Sequence, residues 1–157
     1  QNMDRRSIDV SRLVEEVISR NREVIELEGI SILFQPGDIG PVAGDASMLH
    51  QAILNLVING CSARPDGGAL LIRILETRYR GSAAVVIEVT DTGVGINEEA
   101  IPRIFRPYVS TTDGGTGLGL PTTLRIVRLH GGTILVESEP EQGSRFSIVL
   151  PVEESES

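Results

Sequence analysis

Residues 50–63 read HQAILNLVINGCSA, and their pattern is the strongest structural signal in the chain. Apolar residues fill most of its positions, which predicts a helix over residues 45–63 that is buried around most of its circumference. One face breaks this pattern, because polar side chains recur along it at helical spacing. Its members are Gln51, Asn55, Asn59 and Ser62.

This polar face admits two interpretations. Buried amides without partners cost about 1–3 kcal/mol each, so the face is expected to meet something polar. One possibility is a hydrogen-bond network that holds neighbouring loops, and the other is a polar ligand. The carbonyls of Asn55 and Asn59, one turn apart, suit a hard cation such as Mg²⁺ that bridges substrate phosphates.

Two glycine-rich stretches flank predicted regular structure. Residues 91–96, DTGVGI, follow a predicted strand, and residues 114–120, GGTGLGL, precede a predicted helix. The first is either a plain turn or a backbone that a flat ligand approaches closely, with the Asp91 carboxylate accepting a hydrogen bond. The second is either a flexible loop or a set of free N–H groups at a helix start, which would bind an anion.

The rest of the chain predicts helices that alternate with hairpin-linked strands. Helices are expected at residues 11–28, 45–63 and 118–130, with a short piece near 98–104. Strands are expected at 30–35, 41–43, 69–78, 82–90, 133–137 and 144–150. Asp9 or Ser11 would cap the first helix and Gly29 would end it. This order indicates an α+β fold, a mixed, mostly antiparallel sheet with three main helices on one face.

Composition excludes several classes of function. The 157 residues carry a net charge of −8 and no lysine, so a P-loop NTPase, a pyridoxal enzyme and a kinase of the eukaryotic type are excluded. Acidity and scarce aromatics argue against nucleic-acid binding. The single Cys61 excludes an internal disulfide and favours a reducing compartment. No apolar run suggests a membrane span, and no signal peptide is expected.

Taken together, these motifs resemble the ATP-binding catalytic domain of sensor histidine kinases, in the superfamily shared with gyrase, mismatch-repair ATPases and the heat-shock chaperone. The N box, the two glycine boxes, the F box IFRPYVSTT (104–112) and the closing strands HGGTILVESEPEQGSRFSIVLP (130–151) occur in the family's order. The resemblance covers about residues 8–151 and looks closest to the nitrogen-regulation type. It implies the Bergerat fold, a two-layer α/β sandwich.

The resemblance also implies a role for each matching residue. Asn59 would be the principal Mg²⁺ ligand, Asn55 would assist metal and phosphates, and Asp91 would bind the adenine amino group of ATP. Ser144, where the family often has Thr, would support Asp91. The residues that would pass the purine or wrap the phosphates are Gly93, Gly95, Ile96, Gly115, Thr116, Gly117, Leu118 and Gly119. Phe105 and Tyr108 would anchor the lid.

Four positions depart from the family pattern. Ser62 replaces a basic residue, Arg106 an acidic one and Pro121 an alanine, which the first turn of a helix accepts. Gly60 replaces an alanine at a cost of about 1 kcal/mol in mid-helix, so we expect the backbone to lie close to the ligand or the helix to be ending. The phosphate charge must therefore be met by Mg²⁺, by backbone N–H groups or by arginine, for which the candidates are Arg64, Arg106 and Arg125.

The resemblance distinguishes between two reactions. Hydrolytic members of the superfamily place a glutamate, the general base, one turn before the metal-binding asparagine. Here that position is Asn55, which cannot take a proton. Phosphoryl transfer to an already nucleophilic imidazole needs mainly positioning and charge neutralisation, and is favoured. Two alternatives stay open: a stand-alone serine kinase or ATPase of the superfamily, and a degenerate module that serves as an interaction platform.

The resemblance finally implies parts beyond this chain. Residues 1–8 are expected to be a connector from dimerising phosphoacceptor helices, 9–151 the ATP-binding domain and 152–157 an acidic tail. His50 lies off the metal face, and His130 is expected to be a helix-end residue favoured by the helix dipole, so neither is the expected phosphoacceptor. The implied partners are those helices and a response regulator, without nucleic acid or direct membrane contact. We expect a monomeric, cytoplasmic bacterial domain, free or as part of a membrane-bound kinase.

Overall fold

The structure is a computed structural model that describes residues 3–62, 68–91, 119–139 and 143–153. The helices in these ranges are α1 (Val10–Leu27), α2 (Ala46–Ser62) and α3 (Gly119–Leu129). The strands are β1 (Arg6–Ile8), β2 (Ile30–Gln35), β3 (Val42–Gly44), β4 (Gly68–Tyr79), β5 (Ser82–Asp91), β6 (Thr133–Glu139) and β7 (Gly143–Pro151). Among the described helices, none combines the length and apolar character needed to cross a membrane.

Helix α1 begins and ends where its capping residues dictate. The Asp9 carboxylate accepts a hydrogen bond from the Arg12 N–H at 3.2 Å, so Asp9 is the N-cap. Ser11 lies inside the helix instead, and its hydroxyl donates to the Gly37 carbonyl at 3.0 Å. Gly29 has a φ of 82°, the left-handed conformation that terminates helices. The predicted helix is thereby confirmed, with its start one residue earlier.

Five strands form one mixed sheet in the order β2-β4-β5-β7-β6. β2 pairs with β4 in parallel, and the other neighbours pair antiparallel. β4 and β5 are joined at Arg80 and Gly81, both at positive φ, which is the geometry of a tight hairpin. The predicted α+β class with a mixed, mostly antiparallel sheet is therefore confirmed.

The hydrophobic core lies between the helices and one face of this sheet. Leu70 and Ile72 of β4, Leu56 of α2 and Ile126 of α3 belong to a single buried cluster. A Cβ on Gly60 would lie 2.5 Å from the Leu70 Cδ1 atom, so helix α2 sits close against the sheet at this residue. Of the two expectations for Gly60, the end of the helix is confirmed, since α2 ends two residues later, and the described neighbour that a side chain there would meet is a core leucine.

Both ends of the chain are attached to this fold more fully than the sequence suggested. Residues 6–8, expected to be a polar connector, form β1, because Ile8 is buried and the strand pairs antiparallel with β3. At the other end, residues 152 and 153, which the sequence predicts to belong to a solvated acidic tail, are hydrogen-bonded to the fold. Their N–H groups donate to the carbonyls of Ala83 and Pro41, and Val152 packs on the core.

Candidate functional site

The polar face of α2 emerges from the core along one side of the helix. Asp45 precedes α2 as its N-cap, with a carboxylate oxygen 3.1 Å from the Met48 N–H. Gln51 is exposed, whereas Asn55 and Asn59 are half-buried. Ser62 ends the helix. The predicted face therefore exists, and its two asparagines lie where α2 passes from buried to accessible.

Asn55 joins this face to the start of α3. Its side-chain nitrogen donates to the Gly119 carbonyl at 3.2 Å, and the Thr123 hydroxyl donates to the same carbonyl at 2.8 Å. Gly119 belongs to the second glycine-rich stretch and is the first residue of α3. The contact uses the amide nitrogen of Asn55, so its carbonyl oxygen, the atom that a cation requires, is not part of the bond. This arrangement fits a metal-binding role for the side chain.

Asp91 ends β5 and lies opposite Ser144 of β7 in the register of the sheet. Both side chains are buried. Burial, reinforced by the carboxylates of Glu28 and Asp91, raises the pKa of the Cys61 thiol to about 11. A Cβ on Gly60 would lie 3.7 Å from the Val89 Cγ1 atom, so the C-terminal part of α2 lies against β5 two residues before Asp91. The sheet thus brings the predicted adenine-binding pair toward the asparagine face.

Several predicted site residues lie outside the described residues. They are Gly93, Gly95, Ile96, Gly115, Thr116, Gly117 and Leu118. The lid anchors Phe105 and Tyr108, the short helix expected near 98–104, and the candidate cations Arg64 and Arg106 are also outside. Arg125 is described and lies exposed on α3. Pro121 occupies the first turn of α3, as expected.

His130 directly follows the last residue of α3, as expected of a helix-end residue, but its hydrogen bonds and burial, rather than the helix dipole, account for its place there. It is 3% exposed, and burial lowers the pKa of its imidazole, because a buried charge is unfavourable. Its Nδ1 donates to the Ile126 carbonyl at 2.7 Å, and its Nε2 accepts from the Asp45 N–H at 3.0 Å. These two bonds need the neutral tautomer with the proton on Nδ1. Its role is therefore to link α3 to the start of α2.

Sequence reasoning missed both Asp45 and Thr123 as parts of this site. Asp45 had a weak signal, since an aspartate after a glycine and before a helix is a typical N-cap. Thr123 had none, because its bond to Gly119 lies within one turn and is indistinguishable in sequence from an ordinary helical threonine. Across the described ranges, the Nε2 of the other histidine, His50, is buried without a hydrogen-bond partner.

Known proteins are similar to this chain in sequence and in architecture. A family model described as "Histidine kinase-, DNA gyrase B-, and HSP90-like ATPase" matches residues 44–154. Sporulation kinase A of Bacillus subtilis (strain 168) is 36% identical over 152 residues, which are 96% of this chain and 24% of that protein. Sensor histidine kinase ZraS of Escherichia coli (strain K12) is 35% identical over 147 residues, which are 93% of this chain and 31% of that protein. The chain thus spans about a quarter to a third of these relatives.

The fold matches solved structures as well. The crystal structure of full-length ShkA in complex with AMPPNP has a TM-score of 0.84 and 27% identity, covering 96% of this chain and 32% of that one. The expected nitrogen-regulation type is not supported, because the matching relatives are named as sporulation kinases, SasA and ZraS. The family model covers well over half of the chain. This chain therefore belongs to the histidine kinase-, DNA gyrase B- and HSP90-like ATPase family, as a homologue of the ATP-binding catalytic domains of sensor histidine kinases.

Proposed function

We propose that this domain binds ATP with Mg²⁺ and transfers the γ-phosphate to a histidine on a separate dimerisation domain. The observation that carries the proposal is the bond from Asn55 to Gly119, which joins the asparagine face of α2 to the start of α3. Metal ligands and the phosphate-binding helix start must meet in such a site. The family membership of the chain supports the same reaction.

In this proposal Asp91 accepts a hydrogen bond from the adenine amino group, with Ser144 opposite it on β7 as support. Asn59 is the principal metal ligand and Asn55 assists. The purine and the phosphates are met by residues that the family pattern assigns: Gly93, Gly95, Ile96, Gly115, Thr116, Gly117, Leu118 and Gly119. Bound Mg²⁺ would neutralise phosphate charge.

The chain's own residues favour transfer over hydrolysis. Asn55 occupies the position of a general base and cannot accept a proton, while its nitrogen is committed to Gly119. The described histidines make poor acceptors, since His130 is buried with both ring nitrogens hydrogen-bonded and the Nε2 atom of His50 is buried as well. The phosphoacceptor is therefore proposed to lie on another domain, whose imidazole is nucleophilic without base assistance.

The proposed partners follow from this reaction. They are the phosphoacceptor helices of the same kinase and a downstream response regulator, with no nucleic acid and no direct membrane contact. We place the domain in the bacterial cytoplasm, where ATP is available, as a monomer when isolated. The names of the relatives, which are sensor and sporulation kinases, support a signalling role of this kind.

Calorimetric titration with the non-hydrolysable analogue AMPPNP tests nucleotide binding. We expect binding that strengthens when Mg²⁺ is present. Asp91→Asn should weaken it about 10- to 100-fold, since a hydrogen bond to a charged group contributes about 1.5–3 kcal/mol. Asp38→Asn, at an exposed loop position, is the matched control and should bind like the parent chain. No binding by folded protein at millimolar AMPPNP would refute the proposal.

Transfer is tested separately with γ-labelled ATP and the phosphoacceptor domain of the same kinase. Label should appear on that domain as an acid-labile phosphohistidine. ATP turnover or serine phosphorylation by this chain alone would instead favour a stand-alone ATPase or serine kinase. Binding without any transfer would favour the degenerate interaction module.

A further inference from the structure

The N-terminal strand meets α2 and α3 at the ends of these helices that lie far from Asn55. β1 pairs with β3, with Arg6 opposite Gly44 in the register. The Asp4 N–H donates to a carboxylate oxygen of Asp45 at 3.0 Å, and the Arg5 guanidinium donates to the Leu129 carbonyl at 3.2 Å. Residues 3–8 thus contact both the first turn of α2 and the last turn of α3.

Asp45 and His130 form the centre of this contact. The two residues are 85 positions apart in sequence, and the Asp45 N–H donates to the His130 Nε2 at 3.0 Å. A Cβ on Gly44 would lie 2.5 Å from the His130 Cδ2 atom, so the imidazole rests against a strand that has no side chain there. We call Asp4, Arg5, Gly44, Asp45 and His130 the junction.

The junction is one of two polar links between the same pair of helices. At one end the start of α2 is bonded to the end of α3 through Asp45 and His130, and at the other Asn55 is bonded to Gly119. The helices are therefore antiparallel, and ten residues of α2, about 15 Å, separate the two links. A shift at the junction moves both helices, because each is a rigid rod over this length.

The C-terminal end of α3 has little freedom to adjust on its own. The N–H of Gly131 bonds to the Arg128 carbonyl and that of Gly132 to the Val127 carbonyl, at 3.0 Å each, which is a Schellman cap. Gly132 also lies against the backbone of Val149 in β7, where a Cβ would clash. Movement at the junction must therefore pass along α2 and α3 rather than be absorbed in the turn after α3.

We propose that the junction positions the nucleotide site: docking of residues 3–8 on Asp45 and Leu129 sets the spacing of α2 and α3 at Asn55 and Gly119, and so sets the affinity for ATP. The inference rests on the proposed function, whose site it regulates. Coupling of this kind is reciprocal, so nucleotide binding must in turn stabilise the docking of residues 3–8.

Asp45→Asn separates this role from simple helix capping. Asparagine caps helices as well as aspartate does, so the bond to Met48 is kept. Met48 and Asp4 donate to different carboxylate oxygens of Asp45, and in asparagine one of these is an NH2 group that only donates. With the oxygen kept on Met48, the NH2 group faces the Asp4 N–H, and the contact with residues 3–8 is weakened. The backbone N–H that bonds to His130 is unchanged.

The experiment titrates AMPPNP with Mg²⁺ into the full chain and three variants. We expect Asp45→Asn to weaken affinity about fivefold, the lower range of measured couplings, and Arg5→Ala to weaken it about twofold. Asp9→Asn is the matched control, because Asp9 caps α1 through Arg12 without touching the junction, and its affinity should equal that of the parent chain. Parent-level affinity in both junction variants would overturn the inference and leave the proposed function intact.

Hydrogen exchange in the parent chain gives a test that needs no variant. AMPPNP with Mg²⁺ should slow exchange of the Asp4 amide and of the β1 amides about fivefold, because coupling is reciprocal. Unchanged exchange at saturating nucleotide would overturn the inference even if Asp45→Asn failed to fold. If the folded parent chain bound no nucleotide at all, the proposed function and the inference would both fall.

Discussion

The two polar links between α2 and α3 differ in the burial and hydrogen bonding of their side chains. At the junction end, Asp45 and His130 are buried, and both the aspartate carboxylate and the imidazole are fully engaged by protein groups. At the Asn55 end, the side chains are half-buried, and the link is a single amide donating to Gly119. The junction end, where protein groups engage the polar atoms, holds the two helices in position. The Asn55 end is accessible, and the Asn55 amide oxygen lies outside the bond to Gly119, which suits a ligand.

Breaking the junction end should have the largest effect on stability. His130→Phe keeps an aromatic ring but leaves the buried Asp45 N–H without its acceptor, whereas the Ile126 carbonyl still accepts from the backbone N–H of residue 130. A buried unsatisfied group costs about 1–3 kcal/mol, so we expect a loss of about 2 kcal/mol in urea unfolding. His50→Phe is the matched control: in the described part of the chain the His50 Nε2 has no partner to lose, and we expect a change below about 1 kcal/mol. Equal effects of the two substitutions would contradict the distinction.

Breaking the accessible end should affect ligand binding more than stability. Asn55→Ala removes one half-buried hydrogen bond, worth about 1 kcal/mol of unfolding free energy. It also removes a proposed metal and phosphate contact, so AMPPNP affinity with Mg²⁺ should fall about tenfold. Gln51→Ala, on the same face but exposed, should change neither quantity. An Asn55→Ala variant that lost stability but kept its affinity for AMPPNP would show that Asn55 has a structural role, as the junction residues do.

A substitution at Thr123 tests the hydrogen bond at the start of α3, with a smaller expected effect. Thr123→Val preserves shape but removes the hydroxyl that donates to Gly119, and should destabilise the protein by about 1 kcal/mol. Thr123→Ser keeps the hydroxyl and should retain the hydrogen bond, losing stability only through the missing methyl group. If the Thr123→Val variant were as stable as the parent protein, the hydrogen bond from Asn55 alone would be sufficient for the Gly119 carbonyl.

The smallest expected effect is the pH dependence of the free energy of unfolding, which arises from His130 and Asp45 at the junction end. Burial lowers the pKa of His130, so below about pH 6.5 the unfolded chain takes up a proton that the native protein does not. Stability should therefore fall as the pH drops through that value. The Asp4 and Met48 N–H groups lower the pKa of Asp45, adding a loss once the pH falls below 3.8. His130→Phe should abolish the first step, and His50→Phe should retain it.

The sequence predicted local elements well because their signals are local. The apolar spacing of α1, the cap at Asp9 and the turn at Arg80–Gly81 each depend on residues within a few positions. The asparagine face of α2 was equally visible, since it rests on helical periodicity alone. These elements, with hairpin-linked strands, were sufficient to predict the fold class.

Contacts over long sequence separations had no comparable signal. Nothing in Arg6–Ile8 alone indicates pairing with β3, and nothing near Asp45 indicates a histidine 85 residues away. The packing of Gly60 was not predicted for the same reason, because the leucine that a side chain there would meet lies on a strand beyond the helix. The helix-end position of His130 was predicted, but its burial was not, since that depends on α2 and β3, which a local dipole argument ignores.

The β4–β5 hairpin offers a practical opportunity for labelling. Its turn lies at the opposite end of β5 from Asp91, about 30 Å away for a strand of this length. A side chain at Gly81 would meet no neighbouring atom within 4 Å among the described residues, although its positive φ disfavours most substitutions. A short peptide tag or fluorophore inserted between Arg80 and Gly81 would therefore report on this domain, or tether it to a surface, at a distance from the proposed adenine-binding residue Asp91.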